Sequence, residues 1–214
     1  MDLMDAISGR RAVRHYKMDQ PSEYQIRQLI DAAVWAPSAV NGQGWHFTVI
    51  TRRDLLDAIS TRAKAWVLAH EPFLVEGDGL KPLLSDPHYH LLHHAPVLVI
   101  IAAPSKDKWS AEVCAVAAQN LMLAATGHGL ASCWIGLAQD WLNSPEGRMA
   151  VGLPADDRVI APIVVGYSDE APRVAARRRP TVTWIRENGR IVEDGEPEEP
   201  LSTGGLFGGL VRTS

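Results

Sequence analysis

The residues PVLVIIAA, 96 to 103, constrain the fold more than any other part of this 214-residue chain. They are apolar at nearly every position, which predicts a β-strand buried on both faces. A similar strand is predicted at 159 to 167 (VIAPIVVGY), where Pro162 favours an edge position or a bulge. The chain is therefore expected to build layers around a central sheet.

The remaining pattern predicts helices on either side of these strands. Helices are predicted at 2–9, at 22–35, in the stretch from residue 52 (RRDLLDAISTRAKAWVLAH), and from a Ser110 cap to a stop at Gly127 or Gly129. The last of these is apolar around most of its circumference, which indicates burial at the centre or against a second subunit. A strand is predicted at 45–50, and Asn188-Gly189 predicts a hairpin between two β-rich runs. Strands separated by helices favour an α/β arrangement, or α+β because of that hairpin.

Composition excludes several classes of protein. Hydrophobic residues make up 46% and charged residues 21%, which is typical of a soluble globular protein, and the net charge of −4 argues against a nucleic-acid partner. The longest apolar run is too short for a membrane-spanning helix, and the start of the chain lacks a signal peptide's apolar stretch. Two isolated cysteines fit a reducing compartment, so we expect a cytoplasmic protein with no membrane partner. One domain is predicted over 1–195, with a flexible or partner-wrapping tail at 196–214.

Two arginine clusters are candidate anion sites. Three arginines occur within five residues at the exit of the first helix: Arg10, Arg11 and Arg14. They could bind an anionic ligand, or they could be a basic helix C-terminus that the helix dipole favours. A second run, Arg177 to Arg179, could complete a phosphate clamp or be a solvated surface loop, and the sequence alone cannot bring the two together.

The linker APSAVNGQGW, 36 to 45, is unusually rich in short polar side chains and bare backbone. Another turn, SCWIGL at 132–137, could offer backbone N–H groups to a planar ligand or be a plain connection. No serine lies in a G-x-S-x-G elbow and neither cysteine has a readable histidine partner, which argues against acyl-transfer and thiol catalysis.

The region 71–94 is rich in histidine, and we interpret it as a lid or excursion. His90 and His94 have the i, i+4 spacing of a metal pair, but no third ligand is readable nearby, so we predict no metal site.

Taken together, these segments resemble the FMN-dependent nitroreductase family. The resemblance rests on RRAVRHY, LIDAAVWAPSAVNGQGWHFTVI, HAPVLVIIAA, AAQNLMLAATGHGLASCWIG and VVGY followed by the arginine run, in the family's order over roughly residues 5 to 185. It implies an α+β, three-layer fold with a central mixed β-sheet flanked by helices. It also implies an intertwined homodimer with FMN at each of two sites built from both subunits.

The resemblance also assigns residues to the flavin. Arg10 and Arg178 would meet the phosphate, Arg11 would accompany them, and Arg14 would face the pyrimidine edge. Ile135 and Gly136 would offer backbone N–H groups to the ring. The other chain would supply the loop residues Pro37, Ser38, Ala39 and Asn41. No side-chain acid or base is assigned, because the protein supplies placement and electrostatics while the flavin carries the hydride.

Three positions depart from the family pattern. Ala12 stands where a serine is common, which leaves only backbone for binding, and Gly44 stands where a proline is common. The segment 61–94 matches too loosely to name residues at the pyrimidine edge, so Lys64 is only a candidate there.

The function implied is transfer of hydride from NAD(P)H through FMN to a small flat acceptor, such as a nitroaromatic or a quinone, in a two-step (ping-pong) exchange. Three alternatives stay open. The first is a flavoenzyme of the same fold acting on a dedicated substrate, as a dehydrogenase, a dehalogenase or a flavin-degrading enzyme. The second is a flavin-sequestering protein, and the third is a dimeric structural protein without a ligand.

Overall fold

The computed structural model describes residues 1–71, 80–170, 177, 179–187 and 189–193. The chain divides into two compact units, Met1–Pro172 and Arg173–Ser214. The predicted single domain over 1–195 and the tail at 196–214 stay predictions, since the tail lies outside the described residues.

The first unit is built on a four-stranded sheet with the strand order β1-β2-β4-β3. Its strands are β1 (His46–Ile50), β2 (Val97–Pro104), β3 (Ala131–Trp134) and β4 (Asp157–Gly166). Neighbouring strands pair antiparallel throughout, and a parallel bridge joins Ala12 to Ser132 at the β3 edge. The sheet is thus antiparallel along its named strands, with parallel pairing at this bridge.

Helices cover both faces of the sheet, which confirms the predicted α+β layers. Within the first unit they are α1 (Leu3–Gly9), α2 (Glu23–Ala33), α3 (Arg53–His70), α4 (Lys81–Ser85), α5 (Ser110–Gly127), α6 (Gln139–Asn143) and α7 (Pro145–Val151). Along β2, Leu98 and Ile100 face the α3 and α6 side, whereas Val99 and Ile101 face the α2 and α5 side. The strand is therefore buried on both faces, as its continuous apolar run predicts.

Local sequence signals explain where several helices begin. Ser22 and Gln25 form a reciprocal capping box at the start of α2. At α7 the Ser144 hydroxyl accepts from the Gly147 N–H, and the helix ends at the left-handed Gly152. At α5 the predicted Ser110 cap is wrong: Trp109 occupies the cap, and the Ser110 hydroxyl donates to the Pro104 carbonyl instead.

Pro162 lies in β4 without placing that strand at an edge, which corrects one of the two alternatives drawn from the sequence. The strand is central, between β2 and β3. The other alternative is confirmed, because the register shifts between Ile101 and Ala102 of β2, opposite Ala161 and Val159. Proline has no N–H to donate to the neighbouring strand, and the irregularity beside it lets the sheet accommodate this missing hydrogen bond.

The second unit contains the predicted hairpin, formed by β5 (Val182–Arg186) and β6 (Gly189–Glu193) in antiparallel register. Asn188, which the sequence predicts in its turn, lies outside the described residues. Within the described part of the chain, no helix is both long and apolar enough to cross a membrane.

Candidate active site

The arginine segment, residues 10 to 16, lies along the β3 edge of the sheet. The Val13 N–H donates to the Ser132 carbonyl at 3.1 Å, and Tyr16 bridges to Ser168 beyond the end of β4. Gly166 permits this close crossing, since a Cβ there would lie 2.9 Å from Cδ1 of the Tyr16 ring. Backbone pairing thus holds the three arginines at one edge of the sheet.

The Arg11 side chain forms hydrogen bonds with nearby residues of the chain. Its guanidinium donates to the Ser8 and Arg10 carbonyls, at 2.5 and 2.7 Å, and so satisfies carbonyls at the end of α1. This is the helix C-terminal role that was the alternative to ligand binding. Its Nε is buried and has no hydrogen-bond partner among the described residues.

Arg10 and Arg14 differ from Arg11, because neither forms a hydrogen bond or ion pair within the described part of the chain. Both lie near Cys133: burial raises the pKa of that thiol, and the two positive charges oppose the rise. Arg10 is half-buried and Arg14 is exposed. Two unpaired guanidiniums so close together are ready to bind an anionic ligand.

The site residues fit a phosphate-bearing planar cofactor such as FMN. Two buried polar atoms there are left without a partner among the described residues, Nε of Arg11 and the hydroxyl of Ser132, whose residue is only 2% exposed. Ser132 pairs with Ala12, so both atoms belong to the junction of the arginine segment with β3. Buried polar atoms are normally hydrogen-bonded. These two donors, close to the unpaired side chains of Arg10 and Arg14, therefore indicate that a ligand with acceptor atoms binds here.

Ile135 and Gly136 follow directly from β3. The Ile135 N–H, predicted to donate to a ring, donates to the Pro162 carbonyl at 2.8 Å, so this donor is already used inside the sheet. Gly136 begins a short 3-10 helix, Gly136–Ala138, and its N–H has no recorded acceptor within the described chain. Gly136 is therefore the backbone donor that remains available at this turn.

Most of the linker 36–45 is exposed, and hydrogen bonds between its own residues shape it. Ser38 accepts from the Gln43 N–H at 3.1 Å, and the Gln43 amide donates to the Asn41 side chain. Val40, Asn41 and Gln43 all have positive φ, between 47° and 55°, although none is glycine. A left-handed conformation at a β-branched residue such as Val40 costs about 1–3 kcal/mol, which is typical of functional loops.

The linker and the arginine segment lie at opposite edges of the sheet. The linker leads into β1, whereas the arginine segment pairs with β3, and β2 and β4 lie between. Four strand spacings of about 4.8 Å separate them by about 19 Å, more than one guanidinium spans. Within this chain the structure does not bring Pro37, Ser38, Ala39 and Asn41 to Arg10 and Arg14.

The histidine-rich segment is packed rather than loose over its described residues 80–94. One stripe of α3 holds it, with a contact at each turn of the helix. Arg53 donates to the His94 carbonyl, the Asp57 carboxylate meets the His90 ring, and the Ser60 hydroxyl accepts from the Leu91 N–H. Lys64 completes the stripe by donating to the carbonyls of Asp86 and Tyr89. Lys64, a candidate for the flavin edge, is thus engaged inside this segment.

Two aromatic side chains of this segment lie near Arg14. The rings of Tyr89 and His93 meet edge to face at 6.1 Å. Burial lowers the pKa of His93 to about 4, and the charge of Arg14 adds to this. Burial also raises the pKa of Tyr89, which Arg14 opposes. Both rings are therefore neutral at neutral pH beside a free guanidinium.

Exposed apolar side chains mark the face formed by α1, α2 and α5. Trp35, just after α2, is 86% exposed and Val40 is fully exposed. Leu3 and Ile7 of α1 and Val116 of α5 add to them, so α5 is not buried on every side within one subunit. An apolar face of this kind is typical of a protein–protein interface.

Arg178, the predicted second phosphate ligand, lies outside the described residues. Arg177 and Arg179 are described and exposed, but they belong to the second unit. The phosphate clamp formed by both arginine clusters therefore stays a prediction.

Comparison with known proteins gives a consistent result. The model of the Nitroreductase family matches residues 7–167. A Methanothermobacter thermautotrophicus protein that bears the name NADH dehydrogenase/NAD(P)H nitroreductase is 29% identical over 178 residues, 80% of each chain. The nitrobenzene nitroreductase of Ectopseudomonas oleovorans is 28% identical, over 78% of this chain and 87% of its own. A Bacteroides fragilis nitroreductase crystallised with bound FMN superposes with a TM-score of 0.76 at 28% identity, covering 87% of this chain and 100% of that one.

Proposed function

Because this chain belongs to the nitroreductase family, we propose that it carries hydride from NAD(P)H through FMN to nitroaromatic or quinone-like acceptors. It is an FMN-dependent oxidoreductase. When bound, FMN supplies hydride acceptance and donation, and the protein supplies binding, orientation and charge. Particular residues of this chain bind the cofactor, and each site is built from two chains.

The site is proposed to need two subunits. The observation that carries this is the separation of the linker 36–45 from the arginine segment by the full width of the sheet. One chain would contribute Arg10, Arg11, Ala12, Arg14, Ile135, Gly136 and Arg178, and its partner would contribute Pro37, Ser38, Ala39 and Asn41. The exposed apolar face around Trp35 and Val40 supports a homodimer that covers it.

The burial and the hydrogen bonds of each residue suit a particular contact with the flavin. Arg10 is half-buried and unpaired, which suits a phosphate, and Arg14 is unpaired beside two neutral rings, which suits a polar ring edge. The guanidinium of Arg14 would stabilise negative charge at that edge. Gly136 would donate its free N–H, while Ile135 would contribute contact rather than a hydrogen bond. Ala12 would offer backbone alone.

A subunit-mixing experiment tests the shared site. One chain carries Arg10→Gln and Arg14→Gln, and the other carries Ser38→Ala and Asn41→Gly. Each variant dimer alone should lose flavin binding. In co-expressed dimers half the molecules are mixed and one of their two sites is native, so about a quarter of the wild-type flavin content should return.

The control for this experiment is each variant co-expressed with itself. If the mixed preparation binds no more FMN than the variants alone, each site is built from a single chain and the proposal is wrong. Recovery near the expected quarter would support the assignment of the two groups of residues to different chains.

A spectrum separates the proposed activity from its alternatives. The purified protein is loaded with FMN, desalted and treated anaerobically with NADPH or NADH. Bleaching of the retained flavin, followed by reoxidation with a nitroaromatic or a quinone, would support the proposal. Retained flavin that stays oxidised with every donor and acceptor would contradict it and favour flavin sequestration, and reduction by another donor alone would favour a dedicated substrate.

A cytoplasmic location is part of the proposal. Both cysteines, Cys114 and Cys133, are buried free thiols, which suits a reducing compartment.

A further inference from the structure

We propose that Asp57, His90 and His94 form a site for a borderline divalent cation such as Zn²⁺, Co²⁺ or Ni²⁺. One ligand atom from each residue lies within 4.8 Å of the other two. Two imidazoles and a carboxylate are the donor set that such ions prefer among protein ligands. Neither the flavin site nor the proposed reaction uses these three side chains.

The scaffold holds the three ligands in place. Asp57 lies on α3, and its neighbours one turn away on the same stripe, Arg53 and Ser60, bind the histidine-rich segment on either side of it. Leu91 and Leu92, between the two histidines, are almost fully buried and fix that segment to the core. Ligands carried by a helix and by a segment anchored in the core are pre-organised for binding.

The backbone at the second histidine lies in the left-handed region, where residues other than glycine are strained. His93 and His94 both adopt positive φ, 53° and 56°. Such a conformation costs about 1–3 kcal/mol at a non-glycine residue and is concentrated at functional sites. Here the turn brings the His94 ring to 4.2 Å, between centroids, from the ring of His90.

Two hydrogen bonds define the tautomer of the His90 ring. His90 Nε2 lies 3.0 Å from the Asp57 carboxylate, and the His94 backbone N–H donates to Nδ1 at 3.2 Å, so Nε2 carries the proton. An ion at Nε2 takes the place of this proton, which moves to Nδ1, and the long bond from the His94 N–H is lost.

The two flanking ligands would close around the ion. Tetrahedral zinc with nitrogen and oxygen ligands needs about 3.3 Å between ligand atoms, less than the 4.8 Å limit observed here. Asp57 and His94 are exposed, so their side chains have room to move towards His90, whose side chain is only 10% exposed. Exposure on one side also leaves a coordination position for water, as in zinc sites with three protein ligands.

Sequence reasoning predicted no metal here because a third ligand was missing. The third ligand is Asp57, which lies 33 residues before His90 and reaches it only because α3 packs along the segment. The i, i+4 spacing of the two histidines is visible in the sequence. Their contact with Asp57 on α3 is not, because it depends on how α3 packs against the histidine-rich segment.

Titration of the FMN-loaded protein with Zn²⁺ after removal of metals by a chelator tests the proposal. The variants are Asp57→Asn, which keeps the shape of the side chain, and His94→Asn, which suits positive φ. The matched control is His88→Asn, an exposed histidine of the same segment outside the cluster. Calorimetry should give one ion per subunit, with affinity falling by more than about tenfold in the two variants and unchanged in the control.

A thermal melt gives a second readout, because an ion that binds only the folded state raises Tm. Zn²⁺ should raise Tm of the wild type and of His88→Asn, and it should not raise Tm of the other two variants. Absence of Zn²⁺ binding by the wild type would overturn the proposal, as would unchanged affinity in either cluster variant or an equal loss in His88→Asn. Both readouts report the ion itself, so they stand whether or not NAD(P)H reduces the flavin.

Discussion

Arg10, Arg11 and Arg14 carry the same charge within five residues, but their surroundings differ. Arg11 donates to carbonyls at the end of α1, whereas Arg10 and Arg14 have no recorded partner within the described chain. An unpaired guanidinium keeps its full hydrogen-bonding capacity for a ligand. Of the three, Arg10 and Arg14 are therefore the residues expected to control flavin affinity.

Replacing Arg14 tests this difference. Arg14→Gln removes the charge and keeps most of the side-chain length, so it should weaken FMN binding by about 1.5–3 kcal/mol, the usual contribution of a charge-assisted hydrogen bond. Fluorescence titration with FMN measures the change. The control is Arg27→Gln, an exposed arginine of α2 paired with Glu23. Equal affinity for wild type and Arg14→Gln would contradict the assignment.

His93 makes the stability of the protein depend on pH. Its pKa is about 4 in the folded chain, against 6.5 in the unfolded chain. Between these values the unfolded chain binds more protons, so the contribution to stability is present above 6.5 and is lost as the pH falls towards 4. Arg14 and His15 from the arginine segment, and His90 and His94 from its own segment, all act in the same direction.

Removing this ring should reduce the loss of stability in acid. His93→Asn keeps a residue that tolerates positive φ, and its free energy of unfolding should fall less than that of the wild type between neutral pH and about pH 5. Urea unfolding at the two pH values measures this. His88→Asn, at an exposed position, should behave as the wild type, and a wild-type pH dependence in His93→Asn would contradict the prediction.

At the scale of elements, α3 is the support of the histidine-rich segment. Four of its residues, spaced by four, three and four positions, each bind that segment. The buried member is Ser60, whose hydroxyl accepts from the Leu91 N–H at 2.8 Å. This contact is the one among the four that water cannot replace.

Ser60→Ala should therefore lower the free energy of unfolding by about 1–3 kcal/mol, because the Leu91 N–H is left buried without an acceptor. Urea denaturation measures the effect. Thr61→Ala is the matched control, since Thr61 is exposed and its hydroxyl bonds only within the helix, to the Asp57 carbonyl. A Ser60 variant as stable as the Thr61 variant would show that this contact contributes nothing.

At the scale of the whole molecule, the proposed dimer would bring the linker of one chain to the arginine segment of the other. The linker 36–45 and the arginine segment lie at opposite edges of one sheet, and the exposed apolar side chains of Trp35 and Val40 lie just before the linker and within it. An interface over this face would bury Trp35, and buried tryptophans often dominate the energy of an interface.

Trp35→Ser should therefore weaken dimerisation by about 2 kcal/mol or more. Sedimentation velocity over a dilution series measures the dissociation constant, and bound FMN should fall in parallel. Met149→Ser is the control, because Met149 is similarly exposed, 79%, on α7. Unchanged association of the Trp35 variant would exclude this face from the interface.

Local patterns in the sequence by themselves indicated the strands β1, β2 and β4, the hairpin and the helices α1, α2, α3 and α5, but not β3, α4, α6 or α7. Continuous apolar runs indicated β2 and β4, helical periodicity indicated α2, start and stop signals around an apolar stretch indicated α5, and an Asn-Gly pair indicated the hairpin. These signals depend only on neighbours a few residues away. The ordered motifs of the arginine segment, the linker and the β3 turn were enough to indicate the family. Flavin roles of single residues stayed predictions, since they depend on groups outside the chain.

Only the tertiary structure decided which distant residues meet. It placed β4 at the centre despite Pro162, engaged the Ile135 N–H inside the sheet, and brought Asp57 to His90 and His94. It also put the linker and the arginine segment at opposite edges. Strand order and helix packing depend on how the helices cover both faces of the sheet, which involves residues far apart in the sequence. No local pattern encodes these contacts.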